Sequence, residues 1–212
     1  MTINDIEKSA LALMFTNYEE DLSEQDVDLL ESEEYRKYTV NMKACINRAL
    51  MRIQRAEVLP LQSFTIDAST TCLNDGHRAR YNLQTLIPNL YSIERVAFDS
   101  ACAYEPSESF HVEAGTLVLI PLRDGEKHIV IYEPKVQRIA LNALSSTNID
   151  IPDEIAEIIP YFIKAELYEE DEPSLATQAR NIFEATLESL KRNDYAAQAS
   201  VVNVFGSMTD AL

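Results

Sequence analysis

The segment from residue 151 to residue 192 reads IPDEIAEIIPYFIKAELYEEDEPSLATQARNIFEATLESLKR. Apolar residues recur in it at spacings of three and four, which is the period of a helix with one buried face. They form two stripes, Ile155, Ile158, Ile159, Phe162, Ile163 and Leu167, then Ala176, Ala179, Ile182, Phe183, Thr186, Leu187 and Leu190. The acidic run 169–172 separates the stripes, so we predict two antiparallel helices with Phe162 and Phe183 in the core. Pro160 predicts either a kink or the start of a new helix after a short turn.

Two more helices are predicted within residues 1–60. The first has a core face of Ile6, Ala10, Leu13 and Met14, and a strongly acidic stretch at 17–34, which we interpret as a solvated linker, follows it. The second covers 35–56 and is predicted to bury Met42, Cys45, Ile46, Ala49, Leu50 and Ile53. Its other faces carry six of the 18 Lys and Arg residues of the chain, namely Arg36, Lys37, Lys43, Arg48, Arg52 and Arg55. These cations are either a solvated face that pairs with nearby carboxylates or a docking surface for an acidic partner, with Arg48, Arg52 and Arg55 as partner-binding residues.

The middle of the chain has a different periodicity. Residues 61–134 alternate apolar and polar side chains with a period of two, which predicts a small antiparallel β lobe inserted between the helices. Residues 116–122 and 127–133 are predicted to form a hairpin around an Asp-Gly turn, and 101–111 a loop. Residues 135–193 return to the helical pair, which we expect to pack on the N-terminal helices. The predicted fold class is therefore α+β, with a mostly helical core and an inserted β lobe.

The last segment, 194–212, lacks a long helical stripe. Its apolar, β-prone residues follow the last strong helix and have no evident core left to enter. Such a segment can add as a strand to an exposed sheet edge of a partner. We therefore predict an extended docking tail that binds through Val201, Val202, Val204 and Phe205.

Composition excludes several classes of function. Asp and Glu number 35 against 18 Lys and Arg, a formal net charge of −17, which argues against nucleic-acid binding as the main role. Cys45, Cys72 and Cys102 are widely spaced, so we expect a reducing compartment and no disulfide framework. No signal peptide or membrane-spanning run is expected. We therefore expect a soluble protein that is made and assembled in the cytoplasm of a cell.

The search for catalytic motifs favours a non-enzyme. The four glycines are not grouped into a phosphate-binding loop, and no serine lies in a Gly-x-Ser-x-Gly elbow. A metal site built from Cys102, His111 and His128 would need all three side chains on one side of the β lobe, and we do not favour it. We expect no catalytic residue, no cofactor and no metal.

A resemblance to a known family adds to this reading. The residues Ile151-Pro-Asp-Glu, then 159–173 (IPYFIKAELYEEDEP), then Ala179-Arg-Asn-Ile-Phe-Glu-Ala resemble the C-terminal helical pair of the head–tail connector (adaptor) proteins of tailed bacteriophages. The order of elements is also similar: N-terminal helices, an inserted β lobe, two C-terminal helices and a docking tail. In residues, the resemblance covers about forty positions, and its motifs are helix-packing patterns.

The resemblance implies a structural virion protein. Adaptors form a ring, commonly a dodecamer, beneath the portal protein; they extend the DNA channel without sequence-specific binding and offer a surface to the next tail or stopper protein. A ring needs a heterologous contact between neighbouring copies. Two alternatives stay open: another tail component, such as a tail-completion or terminator protein, and a cellular α+β enzyme or regulator. A concave site containing His111 or His128 with a strongly perturbed pKa would favour the enzyme.

Overall fold

A computed structural model describes residues 1–15, 35–74, 76–100, 103–106, 110–123 and 125–191. The α+β class predicted from the sequence is confirmed. In chain order, the elements are α1 (Ile3–Phe15), α2 (Arg36–Arg55), β1 (Gln62–Asp67), β2 (Leu73–Asn74), β3 (Ala79–Asn82), α3 (Leu83–Leu86), β4 (Leu90–Ser100), β5 (Ala103–Pro106), β6 (His111–Glu113), β7 (Thr116–Leu119), β8 (Lys127–Pro134), α4 (Asp153–Ala156), α5 (Ile159–Leu167) and α6 (Pro173–Ser189).

The chain divides into two compact units. The helical unit comprises Met1–Val58 and Ile139–Leu212, and the β unit comprises Leu59–Arg138. The sequence placed the β lobe at 61–134, so the compact unit extends a few residues further at its C-terminal end. Residues 135–151, which lead back to the helical pair, contain no helix in the structure.

Side chains form hydrogen bonds with free backbone groups at both ends of α1. At its start, the backbone N–H of Asp5 donates to Thr2 Oγ1 at 3.2 Å, and the N–H of Thr2 donates to Asp5 Oδ2 at 2.8 Å. This reciprocal capping box, with a hydrogen bond from the Thr2 hydroxyl as well, lowers the pKa of Asp5. At its end, the hydroxyl of Tyr168 donates to the carbonyl of Met14 at 2.6 Å and the ammonium of Lys164 donates to that of Leu13. Side chains from the α5 region therefore hold carbonyls that the helix itself leaves without a partner.

The helical pair has the predicted antiparallel arrangement. The ring centroids of Phe162 and Phe183 lie 5.0 Å apart, and Arg180 is 3.1 Å from Glu166. A residue later in α5 thus contacts a residue earlier in α6, so the two helices run in opposite directions. Pro160 lies in the first turn of α5, after the single turn of α4. It therefore starts a new helix after a short turn and does not kink a longer one. Phe183 is fully buried, whereas Phe162 is only half-buried.

Burial agrees with the predicted stripes except at a few positions. All six apolar residues predicted for the core face of α2 are buried. In α1, Leu11 is buried and Leu13 only half-buried, because the buried face is centred on Ile6 and Ala10. Ile182 of α6 is exposed, since its neighbour Phe183 takes the core position.

The β unit consists of two four-stranded antiparallel sheets around one core. The first sheet has the order β1-β8-β4-β5 and the second β2-β3-β7-β6. Both sheets contribute buried side chains to a single cluster, which includes Ile66, Tyr81, Val96, Leu117, Leu119, Val130 and Tyr132. A core shared between two sheet faces explains the alternating pattern that the sequence shows.

The predicted hairpin between 116–122 and 127–133 is wrong. The strand β7 pairs with β3 and β6, whereas β8 pairs with β1 and β4, so the two runs belong to different sheets. Pro121 lies inside the first run and cannot donate a ladder hydrogen bond, so β7 ends at Leu119. A two-residue hairpin joins β6 and β7, where Ala114 and Gly115 both have positive φ (46° and 77°), as a type I′ turn requires.

Two smaller predictions of the β lobe also need correction. The stretch 101–111, predicted as loop, contains β5, which pairs with β4, and reaches the start of β6. The sequence pattern also predicts a short strand over 80–83, but Leu83 begins the single-turn helix α3. The Asn82 side chain accepts a hydrogen bond from the N–H of Thr85 at 3.3 Å, and this N-cap turns the chain out of β3.

Candidate functional site

The predicted docking arginines of α2 lie on the surface of the helical unit. Arg48 Nε is 2.8 Å from Glu166 of α5, and its guanidinium also contacts Cys45 Sγ at 3.2 Å. Arg52 makes a bidentate pair with Glu184 of α6, at 2.9 and 2.6 Å, and this hydrogen bonding raises the pKa of Arg52. Both arginines thus tie α2 to the helical pair.

One carboxylate joins three helices. Glu166 of α5 accepts from Arg48 of α2 and from Arg180 of α6, the latter at 3.1 Å. The arginine side chains are about half exposed, so each pair is worth at most about 1 kcal/mol in water and less in salt. The pairing fits the solvated-face interpretation of these cations. Arg55 is exposed and forms no ion pair with the described residues. Of the three predicted partner-binding arginines, it is therefore the one whose guanidinium could pair with a carboxylate of another protein without breaking an internal ion pair.

Exposed apolar side chains lie beside α2. The side chain of Asn47 bonds both the N–H and the carbonyl of Ile139, each at 2.8 Å, and Lys43 Nζ donates to the carbonyl of Ala143 at 2.6 Å. The segment after Ile139 therefore runs antiparallel along α2. Three exposed apolar side chains belong to α2 and to this segment, and we call them together the apolar strip: Val40, Leu141 and Leu144, which are 70%, 71% and 74% exposed.

An exposed apolar strip of this kind is typical of a protein contact surface. Lys43 and Asn47, which bond the segment, are four residues apart and lie on the same side of α2. The sequence reading missed the strip because residues 135–151 were treated only as a connection. The signal that could have found it is the pair of leucines at 141 and 144 in a segment without helical or strand periodicity.

The three histidines, all in the β unit, occupy different environments. His77 and His111 are exposed and line a groove of about 490 Å³ with Arg78, Phe110, Val118, Leu119 and Ile120. His128 is buried, and burial lowers its pKa. The sequence named a concave site with a perturbed histidine as the mark of an enzyme. Here the groove and the perturbed pKa belong to different residues, because His128 does not line the groove.

The described residues contain no cluster of three His, Cys, Asp or Glu side chains suited to a metal ion. Cys102, one member of the disfavoured metal site, lies outside them, so the expectation that the protein binds no metal stays a prediction. The thiol of Cys72 lies beside the phenol of Tyr81 in the β unit. Burial, followed by the neighbouring Cys72, raises the pKa of Tyr81 to about 12, so the phenol keeps its proton at neutral pH.

The tail residues Val201, Val202, Val204 and Phe205 lie outside the described part of the chain, as does the acidic stretch 17–34. Their predicted docking role therefore stays a prediction. Among the described helices, none is both long and apolar enough to cross a membrane.

No protein-family model matches this sequence, and no curated protein matches it significantly. The class that fold and surface define is thus an α+β protein with an exposed apolar strip on its helical unit and a groove on its β unit.

Proposed function

We propose that this protein is a structural component of a tailed-phage virion, a head–tail adaptor that forms a ring beneath the portal. The observation that carries the proposal is the apolar strip on the helical unit, because exposed apolar side chains grouped on a helix and on the segment bonded to it are expected to be covered in an assembly. The order of elements, with a β unit inserted between helices, agrees with the family that the sequence resembles.

Charge supports the same role. A wall that carries net negative charge does not retain DNA phosphates, so a ring of these subunits would let DNA pass without binding it. The proposed partners are the portal, neighbouring copies and the next tail or stopper protein. Arg55 on α2, together with Arg48 and Arg52 if their internal pairs exchange, would meet an acidic neighbour, and the tail 194–212 would add a second contact.

The experiment uses the purified chain and the portal ring of the same virus. Mass photometry should show a monomer alone and one added copy per portal subunit after mixing. The double substitution Val40→Asp and Leu144→Asp should abolish addition to the portal while leaving the unfolding temperature nearly unchanged, because both side chains are solvent-exposed in the monomer.

A matched control is available in the β unit. Leu73 is 76% exposed, so Leu73→Asp makes the same chemical change away from the strip and should leave portal binding intact. The proposal fails if the double variant binds the portal as well as the unmodified chain does. It also fails if the unmodified chain ignores the portal and forms rings on tail tubes, which is the behaviour of a terminator.

A further inference from the structure

The side chain of His128 connects the two sheets of the β unit. His128 lies on β8 of the first sheet, opposite Ile66 of β1 and Phe98 of β4. Its Nε2 is 3.0 Å from the carbonyl oxygen of Ile120, the residue that directly follows β7 of the second sheet. The ring of Phe98 lies 5.4 Å away. A single buried side chain thus bonds one sheet to the end of a strand in the other.

The geometry fixes the tautomer of the neutral ring of this histidine. A carbonyl oxygen only accepts hydrogen bonds, so Nε2 carries the proton and donates it to Ile120. In the neutral ring Nδ1 is the unprotonated nitrogen, and it is buried with no hydrogen-bond partner among the described residues. A second proton on Nδ1 would find no acceptor there and would place a positive charge next to the aromatic core.

We propose that His128 is an acid-sensitive clasp that holds the end of β7 against β8 at neutral pH and releases it when protonated. The release would free Ile120 and the connection 120–126. Ile120 also lines the groove that contains His77 and His111, so the residue that His128 holds forms part of the groove lining. The proposal is independent of the assembly role.

The electrostatic surroundings favour release over protonation in place. The residues that face His128 from β1, from β4 and from the end of β7 are Ile66, Phe98 and Ile120, none of them charged. Two contacts raise the pKa: the hydrogen bond to the carbonyl of Ile120, which a protonated ring would also make, and the charge of Glu126 just before β8. Burial outweighs both, so the pKa of His128 in the folded β unit is below its usual range.

The sign of the pH effect follows from this lowered pKa. The stability that depends on neutral His128 is complete above the unfolded-state pKa of about 6.5 and is lost as pH falls below it. The equilibrium constant for opening of the clasp should therefore rise by up to about tenfold per pH unit below 6.5, until the folded-state pKa is reached.

The test measures opening locally, because Glu7 in α1 titrates too. Burial raises the pKa of Glu7, so acid acts on the helical unit in the opposite direction. Hydrogen exchange of peptides covering 116–131, corrected for the intrinsic pH dependence of exchange, should show increasing opening between pH 7 and pH 5. His128→Gln keeps a donor near Nε2 but cannot titrate, so its opening should not depend on pH.

The controls are His77→Gln and His111→Gln, which remove the exposed histidines of the same unit and should keep the wild-type pH dependence. If His128→Gln fails to fold, nitrogen-15 chemical shifts of His128 in the unmodified protein give the same answer. The account predicts a neutral, Nε2-protonated ring at pH 7 with a pKa below 6.5. A ring that protonates at or above 6.5 without local opening, or equal pH dependence in His128→Gln, would overturn it.

Discussion

The helical unit and the β unit use polar contacts in opposite ways. In the helical unit, Arg48, Arg52 and Arg180 connect helices through exposed ion pairs with Glu166 and Glu184. In the β unit, the polar contact that joins the sheets is a buried, neutral histidine bonded to a carbonyl. Exposed charges are screened by salt, whereas a buried neutral base responds to protons. The two units should therefore respond to different solution conditions, and substitutions can separate them.

The largest expected effect is in the helical unit. Phe183 is completely buried, so Phe183→Ala should lower the free energy of unfolding by about 3–5 kcal/mol through lost apolar contact and the cavity left behind. Phe162→Ala is the matched substitution on the facing helix, and it should cost clearly less because Phe162 is half-buried. Urea denaturation measures both values. Equal losses would contradict the burial difference.

The next effect is in the turn between β6 and β7. Gly115 has φ of +77°, a conformation that costs a residue with a Cβ about 1–2 kcal/mol, so Gly115→Ala should destabilise the β unit by that amount. Ala114 already occupies the left-handed region, and Ala114→Asn should stabilise the unit by up to about 1 kcal/mol, because Asn-Gly is a preferred type I′ pair. Hydrogen exchange across β6 and β7 measures both changes. Changes of the same sign would contradict a type I′ turn.

The smallest effect concerns the ion pairs. A double-mutant cycle of Arg52→Ala and Glu184→Ala should give a coupling energy of at most about 1 kcal/mol, which decreases in high salt because both side chains are about 40% exposed. Arg55→Ala is the control on the same helix, and it should change the stability by less than about 0.5 kcal/mol. Chemical denaturation at low and high salt measures the terms. Coupling that is insensitive to salt would mean that the pair is less solvated than its exposure indicates.

The helices could be predicted from the sequence because their information is local. A helix bonds each residue to one four positions away, so the stripes of α2, α5 and α6 are visible in a short window. The exceptions are single positions such as Leu13 and Ile182, where the direction of the buried face is set by the neighbouring helix rather than by the stripe itself.

Strand pairing could not be predicted in the same way. The strand β8 lies between β1 and β4, whose residues are tens of positions away in the sequence. The sequence around 127–134 therefore does not indicate which strands pair with β8. The Asp-Gly dipeptide suggested a local hairpin, but the proline at 121 and the seven-residue connection carry the chain to the other sheet. The hairpin between β6 and β7 has Ala-Gly at its turn, which is a weaker sequence signal for a type I′ turn.

The candidate surfaces were predicted only in part. The arginines of α2 were identified from their number, but their internal partners on α5 and α6 depend on helix packing that the sequence does not show. The apolar strip arises because Asn47 and Lys43 hold a segment without regular structure along α2. The role of His128 depends on the meeting of two sheets, which required the strand order.

Electron cryo-microscopy of intact virions tests the proposed adaptor role most directly. The account predicts a ring of this chain directly beneath the portal, with the strip of Val40, Leu141 and Leu144 covered by a neighbouring protein. Particles that contain no copy of the chain, or that carry it only at the tail-tube end with the strip open to solvent, would contradict the proposal.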